Sequence, residues 1–63
     1  MLINEILKKE RESKNLTQSE LSELSGISKR SISHWESGNR MPHFDSIEPV
    51  LAVLGLKIEI VRK

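Results

Sequence analysis

The chain has 63 residues, with ten lysines and arginines against nine aspartates and glutamates, a formal net charge of +1 and no cysteine. One domain is the only sensible count at this length. Disulfides are excluded, and two histidines nine positions apart without cysteines do not make a metal site. So near-neutral a balance neither demands nor forbids a nucleic-acid partner, and the placement of the charges has to decide. A domain this short buries only about 60% of its unfolded surface, so compact helical packing, oligomerisation or both must stabilise it. The apolar runs are a few residues long, far short of the ~20 a membrane span needs. The start contains Asn4 and Glu5 and lacks the basic stretch of a secretory signal. A soluble, cytoplasmic chain with no membrane partner is the expectation.

Residues 1–14 read as a helix, because Leu2, Ile3, Ile6 and Leu7 recur at helical spacing among Lys8, Lys9, Arg11 and Glu12. The pattern breaks between Ser13 and Leu16. Thr17-Gln18-Ser19-Glu20 then has the form of a capping box, in which threonine and glutamate each satisfy the other's backbone amide. Leu21 and Leu24 supply the expected inner face, and Gly26 ends this helix of about two turns. Ser28 is the next N-cap. Ile32 and Trp35, three apart, face inward, whereas Lys29, Arg30, Ser33, His34 and Ser37 share the outward face. Gly38 closes the helix. Trp35 could stack on bases, but its phase with Ile32 favours the core.

After a connector over residues 39–44, Asp45-Ser46-Ile47-Glu48 resembles a second box, with Asp45 as N-cap and Pro49 at N4, where it forfeits only the first helical hydrogen bond; a helix beginning earlier, at Phe44, would be kinked by Pro49. His43 reads as a loop residue. Ile47, Val50, Leu51 and Leu54 give the apolar face, and Gly55 ends the helix. From residue 56 the period changes: Leu56, Ile58 and Ile60 alternate with Lys57 and Glu59, the pattern of a half-buried strand. With no second strand in the chain, this edge would be unsatisfied, so the expected partner is the same strand of a second copy.

Two short helices joined by a tight turn, the second displaying Lys29, Arg30, Ser33 and His34, suit the reading of DNA. A major groove about 12 Å wide admits one helix, and arginine or lysine can donate to guanine O6 and N7. Thr17, Gln18 and Ser28 stand at helix N-termini, where free amides favour phosphate. Glu36, two positions beyond His34, does not make a catalytic pair with it, because helical residues two apart diverge by about 200° and no nucleophile is arranged with them. No enzymatic role, cofactor or small-molecule ligand is expected.

The run from Leu16-Thr17-Gln18-Ser19-Glu20-Leu21 through Gly26 and Ser28, followed by Trp35-Glu36-Ser37-Gly38-Asn39-Arg40-Met41-Pro42, resembles the Cro/C1 (XRE) family of helix-turn-helix repressors. The likeness covers about residues 3–55. It implies a lambda-repressor-like bundle of four to five short helices that binds palindromic DNA as a dimer. It implies that Gln18 braces a phosphate, that Lys29, Arg30 and His34 touch bases, and that Ser37, Asn39 and Arg40 approach the opposite backbone. Arg11 and Glu36 match a structural ion pair of the family. Pro49 and the strand-like tail depart from the pattern, and the tail resembles that of antitoxins of HipA/HipB-type modules.

The expected architecture is therefore mainly α, with a DNA-binding domain over residues 1–55 and a short C-terminal β-strand over 56–63 that pairs across a homodimer through Leu56, Ile58 and Ile60. The expected function is sequence-specific double-stranded DNA binding by a transcriptional repressor that reads a palindromic operator through the major groove. The alternative is an antitoxin that binds and neutralises a toxin protein and autoregulates its operon.

Overall fold

A computed structural model describes residues 2–57. These contain four helices: α1 (Ile3–Ser13), α2 (Gln18–Ser25), α3 (Lys29–Ser37) and α4 (Phe44–Val53). Helix α3 packs against α1 and α2, and α4 against α2. Each helix contributes to one core, built from Leu7, Leu21, Ile32, Trp35, Ile47, Val50, Leu51 and Leu54. Ile3, Leu16, Ile27, Val53 and Leu56 pack around its edge.

Local chemistry explains the two central helices. The Thr17 hydroxyl accepts from the Glu20 amide at 3.0 Å, and the Glu20 carboxylate accepts from the Thr17 amide at 2.9 Å, so the capping box is complete. Ser28 caps α3 by accepting from the Ser31 amide at 3.2 Å. Gly26 and Gly38 end these helices at φ 77° and 83°, a left-handed conformation that costs most L-residues energy. At the end of α1 the same left-handed geometry falls to Asn15, at φ 57°. Asparagine tolerates it better than most side chains.

Two expectations need correction. Leu24 is 63% exposed, whereas Leu21 is fully buried. The half-buried residues of α2 are Gln18, Ser22 and Ser25. At 100° per residue these three and Leu21 span one face, whose centre lies about 110° from Leu24. The inner face is thus partly polar, and counting leucines misjudged its phase. Helix α4 also starts earlier than Asp45. Its N-cap is His43, with no side-chain cap bond, and the His43 carbonyl accepts from the Ser46 and Ile47 amides at 3.1 and 3.0 Å. Asp45 lies inside the first turn, where its charge still suits the helix N-terminus.

Pro49 consequently sits within α4, where its missing amide leaves the Asp45 carbonyl without its helical donor. Asp45 is exposed, so water can serve that carbonyl. Burial of Val50, Leu51 and Leu54, at 1–4% exposure, contributes about 1.5–3 kcal/mol per side chain and outweighs the one helical hydrogen bond lost at Pro49, worth about 0.5–1.5 kcal/mol.

Beyond α4, the Leu56 amide donates to the Leu51 carbonyl at 2.8 Å, and its half-buried side chain rests on its own chain's core. The expected strand falls mainly on residues 58–63, including Ile58 and Ile60, which lie outside the described residues. Among the described residues no helix is long and apolar enough to cross a membrane.

Candidate nucleic-acid interface

The turn between α2 and α3 is held by side chains and backbone at the end of α2. The Ser22 hydroxyl donates to the Ile27 carbonyl at 2.6 Å. The Ser25 hydroxyl accepts from the Ile27 amide at 3.2 Å. The Gly26 amide donates to the Ser22 carbonyl at 2.9 Å. These bonds set the angle at which α3 leaves α2.

Helix α3 buries Ile32, Trp35 and Glu36. The opposite surface carries Lys29, Arg30, Ser33 and Ser37, all exposed, together with half-buried His34. Its inner side is anchored by apolar packing and by one ion pair. Glu36 accepts from Arg11 Nε at 2.7 Å and Nη2 at 2.9 Å, while Arg11 Nη1 donates to the Leu16 carbonyl at 2.7 Å. The paired side chains are only 12% and 4% exposed. The hydrogen bond to Glu36 raises the Arg11 pKa above its ordinary value against the opposing effect of burial, so the guanidinium stays charged. An exposed pair would contribute about 0–1 kcal/mol. Removing one partner from a buried pair strands a charge and costs about 3–5 kcal/mol.

The same carboxylate reaches a predicted site residue. Gln18 Nε2 donates to Glu36 Oε1 at 3.2 Å. One amide hydrogen and the amide oxygen of Gln18 remain for another partner, and the bond to Glu36 sets their direction. Arg11, Glu36 and Gln18 thereby link α1, α3 and the start of α2. They line a polar depression of about 180 Å3 with Lys8, Ser33 and Ser37. Lys8 was not singled out from the sequence, because only the packing of α1 on α3 brings it there.

The other predicted residues divide by the work their polar atoms already do. The Thr17 and Ser28 hydroxyls are engaged in capping. The Ser37 hydroxyl donates to the His34 carbonyl at 3.0 Å. The Asn39 and Arg40 amides donate to that same carbonyl at 3.0 and 3.4 Å, folding the loop after α3 back against the helix. The side chains of Lys29, Arg30 and Arg40 are exposed. Arg30, His34 and Arg40 meet in a groove of about 820 Å3 between α3 and the loop, and His43 lines it too. Sequence reading placed His43 in an ordinary loop; its approach to Arg30 and His34 arises from the fold-back of residues 38–43.

The helix-turn-helix family profile matches residues 7–61. The chain belongs to the Cro/C1-type helix-turn-helix family. It is 37% identical over 59 residues to the HTH-type transcriptional activator BcrR of Enterococcus faecalis. That match takes in 94% of this chain but 29% of BcrR, so the chain spans under a third of that relative's length. Among solved structures it is similar to SinR, the master regulator for biofilm formation, in complex with DNA. The TM-score is 0.83 at 32% identity, covering 89% of this chain and 90% of that one. A SinR protein/SinI protein complex gives a TM-score of 0.81 at 32% identity, covering 87% of this chain and 54% of the other.

Proposed function

We propose that the chain binds double-stranded DNA sequence-specifically as a homodimeric transcriptional repressor, reading a palindromic operator through the major groove with α3. The observation that carries this reading is the division of α3 into two faces. Ile32, Trp35 and the ion-paired Glu36 hold it from within, and Lys29, Arg30, Ser33 and His34 stand on the other side. A rigid backbone under mobile cationic side chains is what base-edge recognition requires. Likeness to SinR, which has been captured on DNA, supports the assignment.

Gln18, Thr17 and Ser28 lie where helix N-termini can meet backbone phosphate, and Ser37, Asn39 and Arg40 are assigned to the opposite strand's backbone. A dimer on a palindrome sets its two recognition helices ~34 Å apart along the duplex. Pairing of residues 56–63 between subunits is the proposed means of holding that spacing. A chain truncated after Gly55 is therefore expected to sediment as a weaker dimer than the full chain, and unchanged dimerisation would remove the tail from this role.

The test of groove reading separates two kinds of contact. Duplexes selected from a random pool define the preferred sequence. Lys29→Ala or Arg30→Ala is expected to relax preference at particular base pairs by about 1–3 kcal/mol. Gln18→Ala is expected to weaken binding evenly across sequences and to lower the salt dependence by about one phosphate contact. Even weakening by all three substitutions would place α3 on the backbone and refute groove reading.

A protein partner is the second reading. The SinR protein/SinI protein complex shows that a similar chain engages another protein, and the tail sequence resembles HipB-type antitoxins. Purification of the chain with a toxin encoded beside it would favour the antitoxin role.

A further inference from the structure

The groove between α3 and its following loop gathers four cationic or protonatable side chains from two elements. Arg30 and His34 come from α3, Arg40 and His43 from the loop, and Trp35 and Ser46 also line the groove. The lining contains no carboxylate; Asp45 and Glu48, the acids of α4, are exposed and outside it. The walls are fixed by the backbone. The Arg40 amide donates to the His34 carbonyl, and the His43 carbonyl accepts from the Ser46 and Ile47 amides of α4. A groove lined by one sign of charge attracts a counter-ion of the other. Arg30 and His34 also belong to the outward face of α3, so a duplex lying on that face carries its backbone past the groove.

We propose that this groove seats a DNA backbone phosphate and that His43, together with His34, holds it in the protonated form, so that DNA binding takes up protons. The proposal rests on the DNA-binding reading above. Histidine is the side chain that ordinarily changes charge between pH 5 and 8. A phosphate stabilises the imidazolium, so the complex holds those protons more tightly than the free protein. Affinity is therefore gained at low pH and lost as pH rises. Each protonated histidine also acts as one more phosphate contact and releases a counterion.

The experiment measures affinity for a duplex selected from a random pool, at pH 5.8 and 7.8 and constant ionic strength. It compares the full chain with His43→Gln, His34→Gln and the double variant. His43→Asn, which puts a favoured capping side chain at the N-cap of α4, serves as a second variant that does not depend on loss of helix stability. Circular dichroism of the free proteins keeps folding separate from binding. The unaltered chain is expected to bind more tightly at pH 5.8, by up to about tenfold per histidine. Its log-affinity against log-salt slope is expected to steepen by about 0.9 per histidine. Each single variant loses about half of both effects, and the double variant is flat. A pH response that survives in the double variant, or a His43 variant matching the unaltered chain in both readouts, would overturn the proposal while leaving DNA binding intact. Failure to enrich any duplex would overturn the DNA-binding reading along with it.

Discussion

Helices α2 and α3 on one side and α4 on the other are specified in different ways. The first two carry their own start and stop signals: Thr17 with Glu20, Ser28, Gly26 and Gly38 all take the capping roles their types suggest. Helix α4 has no side-chain cap and holds a proline inside. It exists because Ile47, Val50, Leu51 and Leu54 have a core to enter. A reading helix must hold its direction while its outer side chains rearrange around DNA, and local caps supply that direction independently of the ligand. Helix α4 needs no such autonomy, since its packing against α2 defines it.

Breaking the packing of α4 should have the largest effect. Leu54 is 1% exposed, and Leu54→Ala is expected to destabilise the fold by about 2–5 kcal/mol in urea unfolding. A loss under 1 kcal/mol would mean that α4 is held by something other than its apolar face. Removing a local signal should cost less. Thr17→Ala opens the capping box and is expected to cost about 1 kcal/mol, lowering Tm by roughly 4–8 °C in a domain of this size. No change in Tm would show that α2 too is held by packing. The smallest effect sharpens the contrast from the other direction. Pro49→Ala restores a donor for the Asp45 carbonyl, worth about 0.5–1.5 kcal/mol, but loosens the unfolded chain by about 0.4–1 kcal/mol. The two nearly cancel, so a net change between a loss of about 0.5 and a gain of about 1 kcal/mol is expected, and destabilisation by more than about 1 kcal/mol would assign Pro49 a packing role of its own.

The same contrast explains what could be read in advance. The caps, the glycine stops and the inward phase of Ile32 and Trp35 are short-range properties and were legible. The Arg11–Glu36 pair spans 25 positions and was legible only through likeness to a family. The phase of Leu24 was misread because Gln18, Ser22 and Ser25 occupy an inner face that hydrophobicity does not mark. The start of α4 was misread because Asp45 and Glu48 imitate a capping box. Lys8 and His43 reach the candidate interface through packing of α1 on α3 and through the fold-back after Gly38, neither of which leaves a local signature.

The central claim is that α3 reads DNA through its outer face. Its most direct test is the affinity of the combined Lys29→Ala, Arg30→Ala, His34→Ala variant for the duplex preferred by the unaltered chain. The helices and core should remain, because none of the three is buried. With base contacts of Lys29 and Arg30 at about 1–3 kcal/mol each and the phosphate contact of His34 lost besides, a loss on the order of 100-fold is expected, together with loss of sequence preference. Intact affinity and preference in a folded variant would contradict the assignment of α3 to the groove.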